Sequence, residues 1–288
     1  MDISPIFLGI IVMLSWGTAD VLTALFTRKS TIFSAFLYTQ LGMVLLYAAI
    51  AFWIAPLPAF SLETLVLLLI AGALSTLGYL AFCKAMQLGP VSVASAIIGC
   101  TPIITVLLTI AFLGERITPL QTGGIALAIL GAVLTSLKFD EIIKLSFSRM
   151  EKAAMYGFVA FVSWGIFYAL IDKLTSSIGW LYPLFLAKVV SVAMFGAYLA
   201  FDGAVVTTIR IPLSLWAVAL GVIVLEFVGH VSYGFGVSVE QTAIINPISF
   251  SYPIVAVGLA HAMFKERLEK TQYLGIGMTL TGIVLLAM

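Results

Sequence analysis

The tripeptide Ser15-Trp16-Gly17 returns later in the chain as Ser163-Trp164-Gly165, and Gly114-Glu115-Arg116 returns as Lys265-Glu266-Arg267. The first pair is offset by 148 positions and the second by 151, so two copies of one unit align with a short insertion between them. The sequence therefore predicts two repeats, 1–137 and 153–288, which are joined by a linker at 138–152.

The composition places both repeats in a membrane. Hydrophobic residues make up 62% of the chain, charged residues 9%, and the mean hydropathy is +1.18. A soluble domain carries about 25% charged residues, so this is an integral membrane protein. The net charge of +1 gives no reason to expect a nucleic-acid partner.

Ten apolar runs have lengths near the roughly 20 residues that a transmembrane helix requires. They lie at 3–26, 32–54, 62–83, 91–113, 119–137, 153–175, 180–201, 212–236, 241–264 and 271–288. Five spans per copy place the second copy upside down in the bilayer, which is typical of secondary transporters. The sequence predicts an all-α integral membrane fold of ten transmembrane helices, with two inverted five-helix repeats around a central cavity.

The orientation follows from the positions of lysine and arginine, because positively charged loops stay in the cytoplasm. The loops after the odd-numbered spans form what we call the basic face: Arg28, Lys29, Lys84, Lys138, Lys144, Arg149, Lys152, Arg210, Lys265, Arg267 and Lys270. The opposite face carries only Arg116 and Lys173. We therefore predict a plasma-membrane protein with a cytoplasmic linker and both termini outside.

Ionisable side chains inside the spans are few, and such residues are costly in hydrocarbon unless they face protein or water. They are Asp20, Lys188, Glu226 and His230, with Gln40 and Tyr79 as polar companions. In the repeat alignment Asp20 matches Tyr168, Gln40 matches Lys188 and Tyr79 matches His230. Depth along the helices predicts two polar clusters, one near each mouth of the cavity.

The first predicted cluster contains Asp20, Gln40 and Tyr79. The second contains Tyr168, Lys188, Glu226 and His230, with an ion pair between Lys188 and Glu226. Each residue also has a structural interpretation: a hydrogen bond between helices for Asp20, a purely structural ion pair for Lys188 and Glu226, and helix packing for His230.

Aromatic residues and prolines complete the predicted site. Trp16 and Trp164 either wall the cavity or pack helix against helix. Thr101-Pro102 and Tyr252-Pro253 occupy equivalent places in the fourth and ninth spans, where proline bends a helix. Pro102 and Pro253 are therefore candidate hinges, with a static kink as the alternative. Asn246-Pro247 predicts a second interruption in the ninth span, with Asn246 near the substrate.

The chain resembles the drug/metabolite transporter superfamily of the EamA type over nearly its full length. The resemblance rests on the repeated Ser-Trp-Gly and on the stretches from Phe112 to Gln121 and from Met263 to Gln272, each followed by glycines. It implies a ten-helix pore of two inverted halves, alternating access and transport of small metabolites, often amino-acid export. Members of the family are described with both termini in the cytoplasm, opposite to the charge count.

These observations predict a secondary transporter that exports small amphipathic metabolites, such as amino acids or related compounds. A multidrug exporter or a uniporter of the same fold is the alternative. An intramembrane lipid-acting enzyme and a receptor-like subunit are further alternatives, although the sequence shows no clustered catalytic residues and predicts no enzyme, cofactor or metal site. The predicted partners are a small-molecule substrate, membrane lipid and protons. The protein is expected to be a monomer or a homodimer.

Overall fold

A computed structural model describes residues 4–54, 57–88, 91–136, 147–201, 211–264 and 269–288, and these residues form a helical bundle. The α-helices are α1 Pro5–Lys29, α2 Ile32–Ile54, α3 Leu62–Leu88, α4 Val91–Ile98, α5 Thr101–Leu108, α6 Pro119–Ser136, α7 Phe147–Ile178, α8 Leu181–Phe201, α9 Trp216–Val239, α10 Thr242–Ser249, α11 Pro253–Phe264 and α12 Lys270–Leu286. A π-helical turn, Thr109–Leu113, extends α5, and a 3₁₀ turn, Leu213–Leu215, precedes α9.

Within the described residues, eight segments are long and apolar enough to cross a membrane. Two of them, Ala94–Leu113 and Thr242–Leu259, each combine two shorter helices. Pro119–Thr135 is apolar but shorter, and α12 has 17 residues. The multi-pass membrane fold predicted from the apolar runs is therefore confirmed.

Two of the predicted boundaries differ from the structure by five residues or more. Helix α3 continues to Leu88, five residues beyond the predicted end of its span at 83, and α7 begins at Phe147, inside the predicted linker. Residues 137–146 lie outside the described residues, so the linker and its side of the membrane remain predictions.

Equivalent helices of the two repeats make equivalent contacts with the other repeat. Helix α1 of the first repeat packs along α9 of the second, and α7 of the second packs along α3 of the first. A Cβ atom at Gly229 would lie 2.5 Å from Trp16 Nε1, and one at Gly78 would lie 2.6 Å from Trp164 Nε1. Each tryptophan therefore rests on a glycine of the other repeat, where no larger residue fits without a shift.

Helices α6 and α12 form the third contact between the repeats. A Cβ atom at Gly131 would lie 2.4 Å from the backbone nitrogen of Thr279, and one at Gly275 would lie 2.4 Å from that of Thr135. Gln272 Nε2 also donates to the Thr135 carbonyl at 3.1 Å. Small residues let the two backbones approach this closely, so Gly131 and Gly275 serve packing within the chain.

Two spans are broken at equivalent positions. Helix α4 ends at Ile98 and α5 begins at Thr101, just before Pro102. Helix α10 ends at Ser249 and α11 begins at Pro253. The helix interruptions predicted from Pro102 and Pro253 are present, because proline cannot donate to the preceding turn. Their movement as hinges remains a prediction.

The predicted second interruption at Asn246-Pro247 is wrong. Helix α10 runs from Thr242 through Pro247 to Ser249 without a break. The carbonyls of Ile245 and Pro247 accept hydrogen bonds from the hydroxyls of Ser249 at 2.9 Å and Ser251 at 2.8 Å. Proline holds φ near the helical value, so Pro247 removes one hydrogen bond, that to the Ala243 carbonyl, without breaking the helix.

Candidate functional site

A small cavity lies between the two repeats. Its lining comes from both of them: Trp16, Asp20, Trp164, Phe167, Tyr168, Lys188, Glu226, His230, Phe250 and Tyr252. The cavity has a volume of about 30 Å³, which is room for one or two water molecules. The cavity in this structure is therefore too small for a metabolite and must widen before one can bind.

A histidine and a glutamate from one helix form the shortest contact between titratable side chains in the cavity. Glu226 and His230 are one turn apart on α9, and His230 Nδ1 lies 3.3 Å from Glu226 Oε2. The same nitrogen lies 2.9 Å from the backbone carbonyl of Glu226. Both neighbours are acceptors, so Nδ1 carries a proton.

The lysine in the cavity reaches across to the other repeat. Lys188 Nζ on α8 donates to Ser75 Oγ on α3 at 3.4 Å. Ser75 occupies the position in the first repeat that matches Glu226 in the second. Sequence reasoning missed Ser75, although the alignment with Glu226 contained the signal.

The predicted ion pair between Lys188 and Glu226 is wrong for this structure. Both residues line the cavity, but the ion pairs within 4.0 Å among the described residues do not join them. Glu226 turns to His230 and Lys188 turns to Ser75, so the two charges interact only through space. Depth along the helices placed them at one level but did not give their directions.

The prediction of two separate polar clusters is also wrong. Asp20 of the predicted first cluster lines the same cavity as Tyr168, Lys188, Glu226 and His230. The side chain of Asp20 is 6% exposed. Its Oδ2 atom is buried and has no hydrogen-bond partner among the residues that the structure describes.

The two companions predicted for Asp20 lie outside this lining. Gln40 is buried on α2, and neither its Oε1 nor its Nε2 has a partner in the described part of the chain. The Tyr79 hydroxyl lies beside the hydroxyls of Thr23 and Thr39 without meeting hydrogen-bond geometry. Asn246 also lies outside the lining, and its Nδ2 donates to the hydroxyl of Tyr233 at 3.0 Å.

Aromatic rings form much of the cavity wall. The ring of Trp16 lies 5.7 Å from Tyr168, 5.5 Å from Phe250 and 5.3 Å from His230, centroid to centroid. Tyr168 in turn lies 5.3 Å from Phe250. Both interpretations of Trp16 and Trp164 therefore apply, because the two side chains line the cavity and also pack against helices. Sequence reasoning missed Phe250, which lies in the break before Pro253.

A further inter-repeat contact lies at the face opposite the basic loops. The carboxylate of Glu115 accepts hydrogen bonds from the backbone nitrogens of Thr242 at 2.5 Å and Ala243 at 2.9 Å. The Arg116 backbone nitrogen donates to Gln241 Oε1 at 3.0 Å. We call these residues the inter-repeat clasp. The sequence marked Glu115 and Arg116 as a repeated motif but did not predict this role.

The clasp carboxylate lies at the N-terminus of a helix. The first backbone N–H groups of a helix have no partner inside it, and the helix dipole makes that end positive. A carboxylate is therefore a strong acceptor for the first turn of α10. Because Glu115 belongs to the first repeat and α10 to the second, the clasp fixes the two halves together at this mouth.

No group of three or more His, Cys, Asp or Glu side chains that could hold a metal ion is found among the described residues. Cys83 and Cys100 are both free thiols. The cavity lining supplies two carboxyl groups, an amine, an imidazole and aromatic rings.

Comparisons with known proteins agree with the internal repeat. The family model of the EamA-like transporter family matches residues 3–137 and again 151–288. No curated protein matches the sequence. One solved crystal structure, described only as that of a protein, superposes with a TM-score of 0.70 over 98% of this chain and 95% of its own, at 14% identity. At this identity the likeness concerns the fold alone.

Proposed function

Because this chain belongs to the EamA-like transporter family, we propose that it is a secondary transporter that moves small amphipathic metabolites, such as amino acids or related compounds, out of the cell by alternating access. It is a multi-pass integral membrane protein, and the family consists of transporters rather than enzymes. Substrate, direction and plasma-membrane location are parts of the proposal.

The observation that carries the proposal is the position of the cavity. Asp20 and Trp16 come from the first repeat, while Lys188, Glu226 and Trp164 come from the second. A cavity walled by aromatic rings with a few polar groups is the usual make-up of a small-molecule site. Rocking one repeat against the other would open a cavity between them to either side.

The proposed topology has ten spans, in which the shorter helices α6 and α12 are the fifth and tenth spans. The repeat units are 1–137 and 153–288, and the second is inverted in the membrane. The exchanged contacts of Trp16 with Gly229 and of Trp164 with Gly78 support this arrangement, because equivalent residues meet equivalent partners. The lysine and arginine distribution supports termini on the outside.

Uptake into proteoliposomes tests the proposal. The purified protein is reconstituted and supplied with labelled amino acids and related metabolites, with and without an imposed pH gradient. We expect saturable uptake that Lys188→Ala abolishes, because Lys188 lines the cavity. Lys173→Ala is the matched control, because Lys173 is 46% exposed and pairs with Glu63 outside the cavity lining.

Four outcomes would revise the proposal in different ways. Uptake that survives Lys188→Ala would remove the cavity from the transport path. Uptake of drugs or sugars but of no amino acid would favour a multidrug or other metabolite transporter. Saturable binding of a substrate that never crosses the membrane would favour a receptor-like subunit. Transport that does not respond to a pH gradient would favour a uniporter.

A further inference from the structure

The charges that line the cavity do not balance. Asp20 and Glu226 carry two carboxylates, and Lys188 carries the one ammonium in the described lining. With both carboxylates ionised and His230 neutral, the formal charge is one negative. Such an excess inside a membrane protein is costly unless a proton binds a carboxylate or another positive group enters.

The contacts of these groups show which carboxylate lacks a positively charged partner. Glu226 contacts His230 at 3.3 Å and interacts through space with Lys188. Asp20 instead interacts with Glu226, which has the same charge, and Asp20 takes part in none of the ion pairs found among the described residues. Lys188 therefore compensates Glu226, and Asp20 is left over.

The hydrogen-bonding capacity of the lining points to the same residue. Three buried atoms of the lining lack a partner among the described residues: Asp20 Oδ2, Trp16 Nε1 and the Tyr252 hydroxyl. Trp16 Nε1 can only donate, the Tyr252 hydroxyl can donate or accept, and the oxygens of an ionised Asp20 can only accept. The complement of Asp20 is therefore an N–H donor, and a charged one forms the stronger bond.

The walls around this carboxylate favour a positive ligand. Trp16, Tyr168, Phe250 and Tyr252 all line the cavity, and the faces of aromatic rings carry negative electrostatic potential that attracts cations. A ligand carboxylate in the same place would face these rings and two like charges. Its one cationic partner, Lys188, already faces Ser75 and Glu226.

We propose that the cavity selects amphipathic monocations with a primary or secondary ammonium group, which donates a hydrogen bond to Asp20, over the zwitterions and anions of the same carbon skeleton. The inference rests on the proposed function and narrows its substrate class from amphipathic metabolites to amines. The apolar part of the ligand contacts the aromatic wall, and the ammonium supplies the missing positive charge.

Three ligands that share one branched apolar chain test the inference. Isothermal titration calorimetry at neutral pH compares isopentylamine, leucine and 4-methylpentanoate as ligands of the purified full-length protein. We expect the amine to bind at least about tenfold more tightly than leucine, because leucine carries the same ammonium but adds a carboxylate that meets like charges in the lining. The acid, which has no ammonium, should bind most weakly. Leucine binding as tightly as the amine, or no binding of the amine, would overturn the inference.

Variants assign the preference to Asp20. Asp20→Asn keeps the shape but removes the charge, and we expect it to reduce the preference for the amine to less than about threefold. Glu63→Gln is the matched control, because Glu63 is 68% exposed and pairs with Lys173 outside the lining; it should retain the full preference. An unchanged preference in folded Asp20→Asn would overturn the role of Asp20. If this variant does not fold, the three ligands still test the wild type.

The same experiment separates this inference from the proposed function. Saturable uptake of leucine into proteoliposomes, with leucine binding as tightly as the amine, would leave the transporter standing and remove the amine selectivity. Tight, Asp20-dependent binding of the amine without uptake of any substrate would remove transport and leave the cation site. Calorimetry measures the site directly, so passive diffusion of the neutral amine through the bilayer does not affect the result.

Discussion

Removing the carboxylate of Glu115 should loosen one mouth of the protein. This side chain of the first repeat holds the first turn of α10 in the second repeat through bonds of 2.5 and 2.9 Å. A hydrogen bond to a charged group contributes roughly 1.5–3 kcal/mol when buried. Glu115 is only half-buried, and solvent weakens such interactions, so we assign about 2 kcal/mol to the two bonds together.

This free energy sets the expected change in opening. A loss of about 2 kcal/mol in Glu115→Ala raises the population of the open mouth about thirtyfold, because about 1.4 kcal/mol corresponds to a factor of ten. Glu115→Gln keeps one uncharged acceptor oxygen, retains about 1 kcal/mol, and should raise the open population only about fivefold.

Thiol labelling measures the opening. In a background without Cys83 and Cys100, a cysteine replaces Asn246, which is fully buried about one turn inside α10 and contacts Tyr233. A bulky maleimide reaches this position only when the mouth opens. When opening and closing are fast, the labelling rate follows the open population, so the rate should rise about thirtyfold in Glu115→Ala.

The control is Glu240→Gln in the same background. Glu240 lies beside the clasp, and its Oε1 accepts a hydrogen bond from the backbone nitrogen of Gln241, within its own repeat. Removal of this charge should leave the labelling rate within about twofold, since the bond does not join the repeats. A rate in Glu115→Ala that stays within the same range would refute the role of the clasp.

Two further changes test the core and the cavity. Gly78→Ala should destabilise the protein by about 1–3 kcal/mol, because its Cβ would lie 2.6 Å from Trp164 Nε1; thermal unfolding should show no such loss for Gly123→Ala, where nothing lies within 4 Å. Glu226→Gln should flatten the pH dependence of uptake, because it removes the carboxylate paired with His230; an unaltered pH profile would remove this pair from proton coupling.

Features that depend on local sequence were predicted well. The apolar runs predicted membrane helices because each helix satisfies its own backbone hydrogen bonds in lipid. The breaks before Pro102 and Pro253 followed from the missing proline N–H group. The local rule is not complete, because Pro247 lies inside an unbroken helix.

Parts of the site were predictable and parts were not. The cost of a charge in lipid identified Asp20, Lys188, Glu226 and His230, and all four line the cavity. Sequence position gives the depth of a side chain along its helix but not the direction in which it points. The partners therefore differed from expectation: Lys188 contacts Ser75, and Glu226 contacts His230.

The sequence by itself determined the membrane class, the duplication, the helix breaks and the family, because each of these is written in residues close together or in a repeated order. Only the tertiary structure decided which residues meet. The packing of α1 against α9 and of α3 against α7, which joins the two repeats, brings Asp20 into the same cavity as Lys188. The clasp likewise joins Glu115 to Thr242, 127 residues apart. Such contacts depend on how whole helices rotate and approach one another. Helices approach closely where glycines lie on their facing sides, and which sides face each other is set only when the repeats pack.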